Sequence, residues 1–264
     1  MPFEKKQQKR QVMQVTKHRE KVKIFNHYTN YKGRLFVKTL CDLFNDVAEV
    51  QTEQLGVDVA TLNAAGATWM LHRLHIRLHK MPQQNEEVYI ETWPSGIDRL
   101  FALRDYRMVR ENGEELLRAT SEWMYIDLNR RRPMRQMERV VEMSTSHGIP
   151  HLELPSILNE KEFAMTPAGG RHFEATFDNI DFNGHVTQAS YMRWITNSLP
   201  FEFLKTHVLV DVEVIYSHEI MPDSRIYSAY EMKMEGETVT VGHRVQNESG
   251  DTTHCIAKSV WEKK

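Results

Sequence analysis

The sequence predicts an α+β chain made from one unit used twice. Two observations carry that prediction. The order strand, long amphipathic helix, antiparallel meander runs through residues 20–132 and again through 169–264. Matching strings also recur at a spacing of about 140 residues, which is too long for a solenoid unit and suits a duplicated domain. "HKMPQQNEEVYIE" answers "HEIMPDSRIYSAY", and "GEELLRATSEWMYID" answers "GDTTHCIAKSVWEKK".

Each element follows from its local pattern. "VKIFNHYTN" alternates apolar and polar residues and predicts a strand, with "GRLFV" as a second short one. In "TLCDLFNDVAEVQTEQLG" the apolar residues Leu40, Leu43, Phe44, Val47, Ala48 and Leu55 fall mostly three and four apart, which predicts a helix with one buried face, closed at Gly56. Four strands follow: "TWMLHRLHIRLHK", "EEVYIETWP", "FALRDYRMVR" and "ELLRATSEWMYIDL". Asn112-Gly113 supplies a tight hairpin turn. The second unit reads the same way. "GRHFEATFD" is a strand and "HVTQASYMRWITNSL" a helix stopped by Pro200. "VDVEVIYSHEI", "SRIYSAYEMKM", "TVTVGHRVQN" and "THCIAKSVWEK" are strands. A sheet carrying one helix leaves its edge strands open, so the two units are expected to pair edge to edge into one large sheet with two helices. Residues 133–168, with several prolines, are the expected surface linker, and residues 1–19 a basic tail.

Composition narrows the function. The 264-residue chain is 41% hydrophobic and 27% charged, with formal net charge −2, the mix of a globular protein with no global pull on nucleic acid or membrane. No run of 18 apolar residues predicts a membrane span. Two cysteines, Cys41 and Cys255, point to a reducing, cytoplasmic setting. Thirteen histidines occur, including His72, His75 and His79 in one strand, but no His or Cys pair has metal-site spacing. No metal and no cofactor is expected.

"DNIDFNGHVTQASYMRWI" places Asp181, Asn183 and His185 at alternate positions, so that on an extended segment they project to one side, just ahead of a helix. Acid, amide and imidazole form a set capable of acid–base work, with Gly184 and Val186 offering backbone N–H groups to an oxyanion. By residue type alone, the string reads equally well as a capped helix and a polar turn.

The string "IDFNGHVTQASYMRWI" resembles the signature of the acyl-acyl carrier protein thioesterases of bacteria and plant plastids, matched at Asp181, Asn183, His185, Val186 and Tyr191. "WMLHRLHIRLHKMP", "TWPSGIDRLFALRDYRM" and "EWMYIDLNRRRP" resemble the first half of that family, and the likeness covers residues 20–264. The resemblance implies a double hotdog fold and hydrolysis of fatty acyl-carrier-protein thioesters. It also implies a further acid, Glu219, with Ile220 where plant members carry cysteine. It implies that the first half forms the acyl tunnel, for which Val47, Val50, Trp69 and Leu71 are candidate walls. An acidic carrier protein would meet basic residues, and "NRRRPMR" nominates Arg130, Arg131, Arg132 and Arg135. Alternatives are an acyl-CoA thioesterase, a non-catalytic acyl-binding module and a dehydratase. A monomer and a homodimer both fit.

Overall fold

The computed structural model describes residues 17–264. The expected tail therefore lies outside the described residues up to 16, and by His18 the chain is already in a strand. The first unit comprises β1 (His18–Lys23), α1 (Val37–Leu55), α2 (Val59–Ala64), β2 (Ala67–Leu78), β3 (Glu87–Asp98), β4 (Phe101–Val109) and β5 (Glu115–Asp127). The connection holds β6 (Arg132–Met134) and α3 (Glu138–Thr145). The second unit comprises β7 (Gly169–Glu174), α4 (Gln188–Ser198), α5 (Phe201–Thr206), β8 (His207–Tyr216), β9 (Arg225–Glu235), β10 (Thr238–Asn247) and β11 (Thr253–Lys263).

Among the described residues eleven strands join one sheet, in the order β1-β3-β4-β5-β2-β8-β11-β10-β9-β7, with β6 on β5. The order reads the same from either end once the second unit is mapped onto the first. The halves meet where β2 pairs antiparallel with β8, Arg73 opposite Ile215 through Arg77 opposite Asp211. This is a double hotdog: one extended antiparallel sheet, with α1 and α4 packed on each other and on one face of it.

The two faces of β2 and β8 separate by alternation. Leu74, Ile76, Leu78, Val212 and Val214 join Leu40, Phe44, Val47, Met192 and Ile195 of the helices in the main core. Full burial of each such side chain stabilises the fold by about 1.5–3 kcal/mol. The opposite face is covered by the linker, whose Leu158 packs on Ile215 and Ile256. It is also tied down by charge. Buried Glu213 accepts the Ile157 and Leu158 N–H groups at 2.7 and 2.9 Å and pairs with Arg73 at 2.7 Å. The Asp105 carboxylate takes the Leu152 N–H at 2.6 Å and pushes the neighbouring His151 imidazole up.

Several local expectations need correction. "GRLFV" is no strand. Gly33 turns at φ +72°, the Leu35 N–H bonds Pro82 O, and Val37 already begins α1. Leu35 and Val37 are buried at a helix entry, while Phe36 between them is exposed. The strand expected over residues 22–30 ends at Lys23 and gives way to a 3-10 turn at Asn26–Tyr28. The linker is partly ordered secondary structure. His72, His75 and His79 serve separate partners: His72 stacks on Phe101, His75 meets Asp211 at 2.7 Å and His79 meets Glu115 at 3.5 Å.

Candidate active site

The site lies where the loop entering α4 meets the loop leaving β8. An isolated bridge between Ile180 and Val186 pinches residues 181–185 into a turn. Inside it the Asp181 N–H bonds His185 O at 2.8 Å and the Gly184 N–H bonds Asp181 O at 3.0 Å. Gly184 takes φ +79°, a conformation that costs glycine little and other residues more. Asp181 Oδ1 accepts the backbone N–H groups of Asn183 at 2.8 Å and His185 at 3.2 Å. One carboxylate oxygen thus shapes the loop.

The helix starts later than its sequence implies. α4 begins at Gln188, capped by Thr187, whose hydroxyl accepts the Ser190 N–H at 3.2 Å. His185 therefore precedes the helix. The N–H groups of Gly184 and Val186, expected to receive an oxyanion, are committed to Asp181 O and Ile220 O. That expectation falls, because an N–H already paired in the loop's own framework is not free to stabilise a developing charge.

Glu219 sits three residues beyond β8. Its Oε2 is 3.3 Å from His185 Nε2, so acid and imidazole from two separate loops come together. The same oxygen accepts a hydrogen bond from Arg131 Nη2 at 2.6 Å. The Val186 N–H bond to Ile220 O, at 3.1 Å, ties the two loops beside this pair. Tyr191 on α4 donates to His218 O at 3.3 Å, and burial pushes its hydroxyl pKa up. Asn183 accepts a hydrogen bond at Oδ1 from Asn63 Nδ2, at 3.0 Å, which belongs to α2 of the first half. Sequence reasoning missed Asn63. Its faint signal was Asp58, an N-cap residue that opens the short helix carrying it.

The remaining candidates scatter. Val47 and Leu71 are buried in the main core. Trp69 packs in a second cluster and donates to Val57 O at 2.8 Å, and Val50 is half-buried. A cavity of about 460 Å³ opens between the start of α1 and the end of α4, lined by none of these four. Arg130, Arg131, Arg132 and Arg135 are exposed, and of them Arg131 reaches the site. Ile220 is fully buried. Cys41 and Cys255 are buried free thiols whose pKa burial pushes up, the opposite of what a thiolate nucleophile needs. Among the described residues no cluster of His, Cys, Asp or Glu has a metal-binding arrangement.

Two fused hotdogs, with a polar loop at the entry to the second long helix, place the chain among double-hotdog proteins. The chain belongs to the acyl-ACP thioesterase family: the family's N-terminal domain matches residues 15–143 and its C-terminal domain residues 167–263. Oleoyl-acyl carrier protein thioesterase 2 of Arabidopsis thaliana, a chloroplastic protein, is 24% identical over 89% of this chain and 68% of its own length. The chloroplastic oleoyl-acyl carrier protein thioesterase of Coriandrum sativum is 24% identical over 76% of this chain and 59% of its own length. The chain thus spans roughly two thirds or less of these curated relatives. An acyl-ACP thioesterase from Bacteroides thetaiotaomicron superposes with TM-score 0.80 at 26% identity, covering 93% of this chain and 98% of that one. The 12:0-ACP thioesterase from Umbellularia californica shares the fold, with TM-score 0.80 at 16% identity and 94% coverage of each chain.

Proposed function

We propose that this chain hydrolyses fatty acyl-acyl carrier protein thioesters, releasing the free fatty acid and the carrier. The observation that carries the reading is the contact of His185 with Glu219, 3.3 Å apart, beside Asp181 and Asn183 in a chain of this family. A carboxylate, Glu219 or Asp181, takes a proton from water as it attacks the thioester carbonyl carbon. The C–S bond then breaks, and the departing thiolate takes a proton from His185. With the Gly184 and Val186 N–H groups occupied, the Asn183 amide is the donor offered to the carbonyl oxygen.

Carrier docking is assigned to the rim that bears Arg130, Arg132 and Arg135, whose exposed charges would steer an acidic partner. The acyl chain is expected to enter the first half, where α1 and β2 present their apolar faces. Two free buried thiols suit a reducing cytoplasm, and no helix among the described residues is long and apolar enough to cross a membrane. The fused halves already supply the pairing that a lone hotdog obtains by dimerising, so a monomer and a homodimer both fit.

The test is turnover of matched acyl-carrier-protein and acyl-CoA esters, with product acids resolved by mass spectrometry. Faster hydrolysis of the carrier esters is expected. A clear preference for CoA esters overturns the substrate assignment, and binding without release of thiol overturns the hydrolase reading.

A further inference from the structure

The first half carries no acid, amide and imidazole before its own helix, where "GRLFVKTLCDLF" stands instead. Yet two of its side chains reach the second half's site. We propose that Asn63 and Arg131 are positioning residues that complete the site across the seam, Asn63 by setting the Asn183 amide and Arg131 by holding Glu219 against His185. This rests on the hydrolase reading above.

Arg131 is held in place from behind. The Asp127 carboxylate accepts the N–H groups of Asn129 and Arg130, both at 2.9 Å, and the Arg131 N–H bonds Asp127 O at 2.7 Å. Pairing of Asp127 with Arg132 closes the turn. Arg131 itself sits at φ +50°, a left-handed conformation uncommon for a side-chain-bearing residue. A turn fixed this firmly sends one guanidinium across 88 residues of sequence to the Glu219 oxygen that also meets His185. Glu219 stands in a loop without regular structure, so this bond and the Val186–Ile220 tie hold it in register with the imidazole.

Asn63 acts through geometry alone. Asp58 caps α2 by accepting the Thr61 N–H at 2.8 Å, which fixes the short helix that presents Asn63. The Asn63 amide donates to Asn183 Oδ1. An amide has one oxygen and one NH2 group. With the oxygen held, the NH2 group is the one left for a substrate oxygen.

The two residues have different signatures. The charged and titratable groups facing Glu219 are Arg131 from the turn after β5, His185 and Asp181 from the entry loop, Tyr191 from α4, His218 from its own loop and His254 from β11. Arg131→Gln removes the cation that holds Glu219 against His185 and lowers kcat, and Arg131→Lys, which keeps a charge there, restores much of it. Asn63→Ala removes the donor to Asn183 Oδ1. Asn63→Asp is the sharper change: a carboxylate accepts from Asn183 Nδ2, turns the amide over and presents its oxygen to the substrate oxygen. Asn63→Asp is expected to cost more than Asn63→Ala.

The experiment uses the full chain with two substrates, an acyl-carrier-protein ester and a carrier-free acyl-N-acetylcysteamine thioester, and records the thermal midpoint of every variant. Arg131→Gln and Asn63→Asp are expected to lower kcat on both substrates by about 10-fold or more with KM little changed. If Arg131→Gln raises KM for the carrier ester alone, with carrier-free turnover intact, Arg131 is a docking residue and its positioning role is overturned. If Asn63→Asp matches Asn63→Ala or the wild type, the amide-setting role is overturned. A wild-type chain that hydrolyses neither thioester overturns the hydrolase reading itself, an outcome distinct from active wild type with indifferent variants.

Discussion

At the scale of the residue, Asp181 has two jobs on one carboxylate. Its Oδ1 builds the loop by accepting two backbone N–H groups. The charge is what the chemistry would use. Asparagine retains an oxygen at the same place, so Asp181→Asn separates the two. It is expected to keep the thermal midpoint within a few degrees and lower kcat by at least about 100-fold, the scale for a lost general base. His185→Ala is expected to cost a similar factor, since it removes the group that contacts Glu219. Wild-type turnover in Asp181→Asn, measured by thiol release, would assign Asp181 to the loop and leave Glu219 as the base.

At the scale of the element, the entry to α4 decides where the site sits. Thr187 is its N-cap, and a cap of this kind is worth about 1 kcal/mol. Thr187→Ala is expected to lower stability by that amount in urea unfolding. Turnover should change little, because alanine keeps the backbone N–H that bonds Asn179 O and anchors the base of the polar loop. An unchanged midpoint would mean the helix start is held by its neighbours alone. This cap also marks where the sequence could and could not be read. The long strands and α1 were legible because periods of 2 and 3.6 run for many residues, and Gly56 ends α1 as its position implied. The start of α4 was misread by three residues because His185-Val186-Thr187 continues the polar–apolar pattern into a segment that is not yet helical. The six-residue helices α2 and α5 are too short for their period to stand out. The acid, amide and imidazole were legible as a string. Glu219 came from the family likeness, and its contacts with His185 and Arg131 came only from folding. Asn63 reaches Asn183 across 120 residues, a juxtaposition that no local pattern encodes.

At the scale of the whole molecule, the seam between β2 and β8 makes two hotdogs one body. Buried Glu213 serves the seam and the linker together, accepting from Arg73, the Ser156 hydroxyl and two linker N–H groups. Glu213→Ala strands those donors and is expected to destabilise by about 3 kcal/mol, the low end for breaking a buried pair because Arg73 keeps some access to water. A loss below about 0.5 kcal/mol in denaturant unfolding would show that apolar packing alone fuses the halves.

The same scale governs acid sensitivity. His243 on β10 is fully buried under α4, bonded at Nε2 to Ser259 Oγ at 2.7 Å. Burial pushes its imidazole down from 6.5 to about 3. The unfolded chain takes up a proton below about pH 6.5, whereas the fold resists protonation until about pH 3. The stability that neutral His243 contributes is complete above pH 6.5 and drains away as the pH falls towards 3, at up to about 1.4 kcal/mol per pH unit. His243→Leu removes the titration while keeping an apolar side chain, and the Trp261 indole still donates to Ser259 Oγ at 2.8 Å. The variant's thermal midpoint is therefore expected to fall less steeply than the wild type's between pH 6.5 and 4. Parallel curves for the two proteins would move the acid-sensitive group elsewhere in the fold.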